Sequence, residues 1–81
     1  MAGSSLKLVL VDQLALPAFQ RLPFHQQEEI VFRARRIDER QEQPLLDFSR
    51  GTYAFLLAEG MVVYMKALPD MIIIEHLITR T

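Results

Sequence analysis

"GTYAFLLAEGMVVYMKALPDMIIIEHLITR", Gly51 to Arg80, fills more than a third of the chain with apolar residues at both odd and even positions. A strand with one face in water alternates apolar and polar residues, so this stretch describes a sheet whose two faces are both apolar. Two turn signals divide it. Glu59-Gly60 places a glycine where a tight turn requires positive φ, and Leu68-Pro69-Asp70 supplies the chemistry of a second reversal. Three antiparallel strands follow. A two-residue loop at Glu59-Gly60 sets Leu56 against Val63 and Phe55 against Tyr64, and a loop from Ala67 to Asp70 sets Lys66 against Met71 and Tyr64 against Ile73. In that register one face collects Ala54, Leu56, Ala58, Met61, Val63, Met65, Ile72, Ile74, His76 and Ile78. The other collects Tyr53, Phe55, Leu57, Val62, Tyr64, Lys66, Met71, Ile73, Glu75 and Leu77. A one-residue slip in either turn exchanges the faces.

Upstream, Leu6 to Val11 is a short apolar run bounded by small and polar residues, which reads as a first strand. Pro17 and Pro23 suit helix starts. They predict a short helix at about Pro17 to Arg21, reaching back towards Leu14, and a longer one from about Pro23 to Glu42. In the longer helix Phe24, Gln27, Ile30, Val31, Ala34 and Ile37 recur at the spacing of one buried stripe. Glu29 stands one turn before Arg33, the spacing of a helical ion pair. Arg40 to Gly51 has neither period and reads as a connection that tucks Leu45, Leu46 and Phe48 under the core. The expected fold is α+β over one domain, residues 1–81: a strand, two helices and a three-stranded antiparallel meander, forming one four-stranded sheet packed on the helices.

Composition removes several classes of function. The chain has 81 residues, 51% of them hydrophobic and 23% charged, with a formal net charge of -1 and no cysteine. A domain this small has a marginal core that a partner subunit often completes. The absence of cysteine excludes disulfides, thiolate metal sites and a cysteine nucleophile, and fits a reducing cytoplasm. No apolar run approaches a bilayer span, and the N-terminus is a poor secretory signal, so a cytoplasmic protein without membrane contact is expected. His25 and His76 lack metal-ligand spacing. No glycine-rich phosphate loop follows a strand, so no metal or cofactor is expected.

Helices can cover only one side of the sheet, and the second side is too apolar to face water unaided. Two covers compete for it: the Arg40 to Gly51 connection with the chain termini, or a partner chain, either a second copy or a different protein. The partner is expected, on Tyr53, Phe55, Leu57, Tyr64 and Ile73.

"FQRLPFHQQEEIVFRARRID" followed by "LLDFSRGTYAFLLAEGMVVYMKALPDMIIIEHLITR" resembles the RelE/ParE superfamily of toxins from bacterial toxin–antitoxin modules, over nearly the whole chain from about Leu6 to Arg80. The match lies in the order of elements, in Gly51 and Tyr53 opening the second strand, in Tyr64 and Lys66 in the third, and in Arg80 near the end of the last. The resemblance implies a toxin that inhibits translation on the ribosome by cutting mRNA, or that poisons DNA gyrase, neutralised by an antitoxin. Ribonuclease members carry basic residues where this chain has Ala54 and Met61. Cleavage through a 2′-hydroxyl needs cations at the phosphate and a proton-transfer group, for which Lys66, His76 and Arg80 are the candidates. The register above puts His76 on the helix-covered face. A non-catalytic subunit that dimerises or docks a partner through the open face is the alternative, and a weak mRNA endoribonuclease is another. Arg33, Arg36 and Arg40 form a line at helical spacing that could meet phosphates, although interleaved Glu29, Asp38 and Glu39 suit an ordinary solvated face.

Overall fold

The computed structural model of the chain describes residues 7–79. Its elements run in the order β1 (Leu8–Val11), α1 (Leu16–Arg21), α2 (Phe24–Asp38), β2 (Leu46–Asp47), β3 (Thr52–Leu56), β4 (Met61–Ala67) and β5 (Met71–Thr79). They form an α+β fold around one five-stranded sheet of order β1-β5-β4-β3-β2. β1 runs parallel to β5, with Leu8 opposite Met71 and Val11 opposite Ile74, and the other pairings are antiparallel. The sheet therefore has one strand more than expected. The extra strand, β2, comes from the segment read as a connection: Leu46 pairs with Ala54 and Asp47 with Tyr53. Leu45, Leu46 and Phe48 consequently stay exposed instead of tucking under the core.

Local chemistry sets the helix limits. The Asp12 carbonyl accepts the backbone N–H groups of Ala15 and Leu16 at the entrance to α1. Pro23 caps α2, where the donor it lacks would have no intrahelical partner. α2 closes at Asp38, four residues before the expected end. Arg40 adopts φ 62°, and the Gln41 N–H reaches the Arg36 carbonyl at 2.8 Å. The Arg40 N–H meets the Ile37 carbonyl at 3.1 Å, completing a Schellman cap with arginine in the place glycine usually takes. Ile30, Ala34 and Ile37 of the predicted stripe are buried against Phe55, Leu57, Val63, Met65, Ile72 and Ile74. Phe24 at the head of that stripe is exposed. Lys7 ties the layers together, bonding the Asp38 carboxylate at 2.9 Å and the Leu68 carbonyl at 2.7 Å.

Register decides which side chains face the helices, and here the structure corrects the sequence reading. The β3–β4 loop holds three residues, Ala58, Glu59 and Gly60, because the Leu57 N–H bonds the Met61 carbonyl at 2.8 Å and Gly60 takes φ 92°. This is the turn-plus-bulge loop that follows two-residue turns in frequency. Phe55 pairs with Val63 and Leu56 with Val62, one step from the expected register. The step turns β3 over. Tyr53, Phe55 and Leu57 face the helices, and Ala54 and Leu56 face away. The β4–β5 loop is also shorter than expected, two residues instead of four, so the pairing slides by two and the faces of Ile72 and Ile74 are preserved. Beyond it a β-bulge lies between Tyr64 and Met65, which pair with His76 and Ile74, leaving Glu75 as the extra residue. That bulge brings His76 and Ile78 to the open face and sends Leu77 to the core.

Candidate functional site

With the helices on one side, the opposite side of the sheet is an apolar surface. Leu8, Leu10, Leu46, Phe48, Leu56 and Ile78 keep between 36% and 59% of their surface exposed on it or at its border. Contiguous apolar area of this kind on a small domain marks a place of interaction. Tyr64 stands near its middle. The Phe48 ring stacks on Tyr64 at a centroid distance of 5.9 Å and an interplanar angle of 19°, and His76 meets Tyr64 edge-on at 6.2 Å and 79°. Lys66 lies two residues along β4 on the same face, opposite Ile73. It is the only lysine or arginine in the described strands.

The expected site residues separate into those this face unites and those it does not. Lys66, Tyr64, His76 and Ile73 share it. His76 was expected beneath the helices; the bulge at Glu75 is the physical reason that it is exposed. Arg80 lies outside the described residues. Tyr53, Phe55 and Leu57, expected to meet a partner, are on the core side, with Phe55 0% and Leu57 1% exposed. The three-residue loop put them there, and no partner can touch Phe55 or Leu57 without unfolding the chain. Ala54 does belong to the open face but is fully buried between its strand neighbours Leu46 and Tyr64. Met61 packs against the core. A cation replacing Met61 would therefore start from the wrong side of the sheet.

The arginine line on α2 is largely engaged within the chain. Arg33 pairs with Glu42 at 2.8 Å and with Glu29 at 3.7 Å, donates to the Leu56 carbonyl at 2.5 Å, and lies 5.2 Å from the Phe55 ring centroid. Arg36 reaches the same Glu42 carboxylate at 3.4 Å and covers Phe32 at 5.5 Å. Of the three only Arg40, at the helix cap, is exposed. These contacts offset the charge that phosphate binding would use. On the outer side of the helices Phe24 and Phe32 are exposed and, with Phe19 and Val31, line a shallow apolar depression bordered by Glu28 and Arg35. Among the described residues no cluster of histidine, aspartate and glutamate could hold a metal ion, and no helix is long and apolar enough to cross a membrane.

Sequence reasoning placed Phe48 under the core and missed the turn that exposes it. The signal was present in "DFSRG": a glycine after two residues able to reverse the chain, with Asp47 placed to accept a hydrogen bond two residues on.

No protein-family model matches the sequence, and no curated protein sequence does either. Solved structures do match. A chain of the intact E. coli RelBE toxin–antitoxin complex superposes with a TM-score of 0.68 at 12% identity, covering 93% of this chain and 98% of that one. The isolated E. coli RelE toxin superposes with a TM-score of 0.66 at 16% identity, covering 93% and 87%. At these identities the likeness is one of architecture, and the chain has a RelE-like fold.

Proposed function

We propose that this chain is a single RelE-like domain acting as the toxin component of a toxin–antitoxin module, with the open face of its sheet as the working surface. The observation that carries the reading is the union on that face of an exposed imidazole, a phenol and an amine, His76, Tyr64 and Lys66, within an apolar field that needs cover. The names of the two structural neighbours, a toxin and a toxin–antitoxin complex, support it. An antitoxin is the cover that suits both the exposed leucines and isoleucine and the need to keep a toxic surface silent, whereas a homodimer through the same face would be permanently shut. Inhibition of translation or of DNA gyrase would both fit a toxin of this fold. The aromatic and cationic pair Tyr64 and Lys66 favours RNA, because stacking planes beside positive charge are how unpaired bases and their phosphates are held. In a cleavage reaction His76 would move the proton, and Lys66 with Arg80 would offset charge on the phosphate. Such a protein works in the cytoplasm.

Induced expression tests this directly. Growth arrest relieved by co-expression of the neighbouring gene's product, and a stable complex of the two, is the expected result; unimpeded growth with folded chain in the cells overturns it. A second reading is supported by the absence of a cation at Ala54, which does belong to the open face: a non-catalytic subunit that uses the same face only for docking. It predicts the complex without the arrest. Loss of ribosome-dependent mRNA cleavage in Arg80→Ala, with cleavage retained in Arg36→Ala, would favour the ribonuclease over the docking subunit.

A further inference from the structure

The outer side of α2 carries a second apolar surface, separate from the open face of the sheet. Phe24 and Phe32 keep 72% and 60% of their surface exposed there, and with Phe19 and Val31 they line the shallow depression bordered by Glu28 and Arg35. Spacings of three and four residues put Phe24, Glu28, Val31, Phe32 and Arg35 on one strip of the helix. The strip has a symmetry of charge. Glu28 precedes Val31 by as many residues as Arg35 follows Phe32, so opposite charges stand at equal distances from the apolar middle. Neither charge is matched within the chain. Among the described residues Glu28 makes no ion pair, and Arg35 makes none either. One terminal nitrogen of Arg35 donates to the Lys7 carbonyl at 3.2 Å, while its Nε is buried without an acceptor. Glu28 and Arg35 do not satisfy each other, because two turns of helix separate them by about 10 Å.

We propose that this strip is the interface of a symmetric homodimer, covered by the α2 helix of a second copy of the chain running antiparallel to the first. A two-fold axis passing between Val31 and Phe32 sets Glu28 of each copy against Arg35 of the other and packs Val31 and Phe32 on their equivalents at the centre. A parallel copy would instead set glutamate against glutamate and arginine against arginine. Phe24, one turn before Glu28, continues the apolar contact towards the end of the other copy's helix. At about 150–250 Å² per phenylalanine, the exposed parts of Phe24 and Phe32 remove roughly 400–650 Å² of apolar surface from water over the two copies, about half of what an interface of standard size contains. The helices lie on the far side of the sheet from its open face, so a dimer built this way leaves both open faces free. The inference does not depend on the toxin reading and holds equally for a docking subunit.

Sedimentation equilibrium of the full-length chain between about 1 µM and about 500 µM tests this, since interfaces of ordinary area associate at micromolar concentrations or below. The mass rises to that of two chains. Phe32→Ala, at the centre of the contact, raises the dissociation constant about 30-fold or more and leaves the far-UV circular dichroism spectrum unchanged. Glu28→Arg and Arg35→Glu each set like charges against each other and are monomeric alone. Their equimolar mixture restores the dimer, because each chain then carries the charge the other lacks; a folding defect would not be mended by mixing. Where Arg35→Glu does not fold, Glu28→Arg on an exposed residue still decides, since it must abolish the dimer. A single-chain mass over the whole range overturns the proposal. So does a dimer that Glu28→Arg and Phe32→Ala leave intact, and one broken instead by Leu56→Ser lies on the open sheet face. Failure of Phe32→Ala to bind the neighbouring gene's product, with the unaltered chain monomeric, gives the surface to that product and overturns the proposal as well. Growth arrest reports on the toxin reading alone: a monomer that arrests growth removes the dimer and leaves the toxin, whereas a dimer without arrest removes the toxin and leaves the dimer.

Discussion

Phe55→Ala is the substitution on which the register of the sheet turns. Phe55 is wholly buried beneath α2, and the Arg33 guanidinium lies 5.2 Å from its ring centroid. Truncating a buried phenylalanine costs about 3–5 kcal/mol, and the lost cation–π contact adds roughly 0.5–1 kcal/mol at a partly exposed arginine. At about 0.05–0.15 kcal/mol per residue, a chain of this length has roughly 4–12 kcal/mol in all, so Phe55→Ala should remove between about a third and all of it. Leu56, one residue along, faces outward with 36% of its surface exposed, and Leu56→Ala should cost only about 1 kcal/mol. A two-residue Glu59-Gly60 loop would reverse the order of the two costs, because it would bury Leu56 and expose Phe55. Urea unfolding followed by far-UV circular dichroism measures both. With a slope of about 1 kcal/mol per molar urea for a domain this small, the midpoints should fall by roughly 3 M or more and by about 1 M. Phe55→Leu provides a measurable intermediate if the alanine variant does not fold at all. A Leu56→Ala loss equal to or larger than that of Phe55→Ala would refute the three-residue loop and every face assignment built on it.

Three further outcomes follow from backbone and charge. Arg40→Gly relieves the left-handed strain at the C-terminal cap of α2 and should raise stability by about 0.5–1 kcal/mol, visible as a rise of a few degrees in thermal midpoint. Gly51→Ala and Gly60→Ala both place a side chain at positive φ, but only at Gly51 does the new Cβ meet backbone, 2.6 Å from the Ala67 oxygen, while Gly60 has nothing within 4 Å. The first should cost about 2 kcal/mol or more and the second about 1 kcal/mol, and equal losses in urea would contradict the geometry. Glu42→Gln removes the carboxylate shared by Arg33 and Arg36. Because these groups are between 22% and 39% exposed, the loss should be about 1 kcal/mol or less and should shrink between 50 mM and 1 M salt.

Some of this was legible in the sequence, and the divisions have physical causes. The stripe through Ile30, Ala34 and Ile37 was readable because helical period and burial coincide. The strands were readable because β-branched runs end at Gly60 and at Pro69-Asp70. The placement of Ile72 and Ile74 in the core withstood an error in loop length, since the second hairpin slid by an even number of residues. At the first hairpin the slide was odd, and Phe55 exchanged faces with Leu56. Both faces of β3 are apolar, so its side-chain pattern held nothing to oppose the exchange. The bulge at Glu75 was equally silent, yet it decides whether His76 is packed under a helix or presented beside Tyr64. β2 escaped notice because two residues are too few to show a period. The candidate site was thus half visible: Lys66 and Tyr64 by strand position, His76 by residue type on the wrong face, Phe48 only as a core residue, which it is not.

These placements join sequence to proposed function through one surface. An even-numbered run of β4, Val62, Tyr64 and Lys66, is flanked by Leu56 and Ala54 on β3 and by His76 and Ile78 on β5, which sets an aromatic and ionisable centre in an apolar border. The border suits a polypeptide that covers it, and the centre suits the chemistry that the cover would silence.

The most direct measurement is growth after induction of the unaltered chain and of the Lys66→Met, His76→Ala double variant, each shown to unfold at a similar urea midpoint. The unaltered chain should halt growth and the double variant should not, while both should still bind the neighbouring gene's product. Arrest by both chains, or by neither, would contradict the assignment of the open sheet face as the surface that acts.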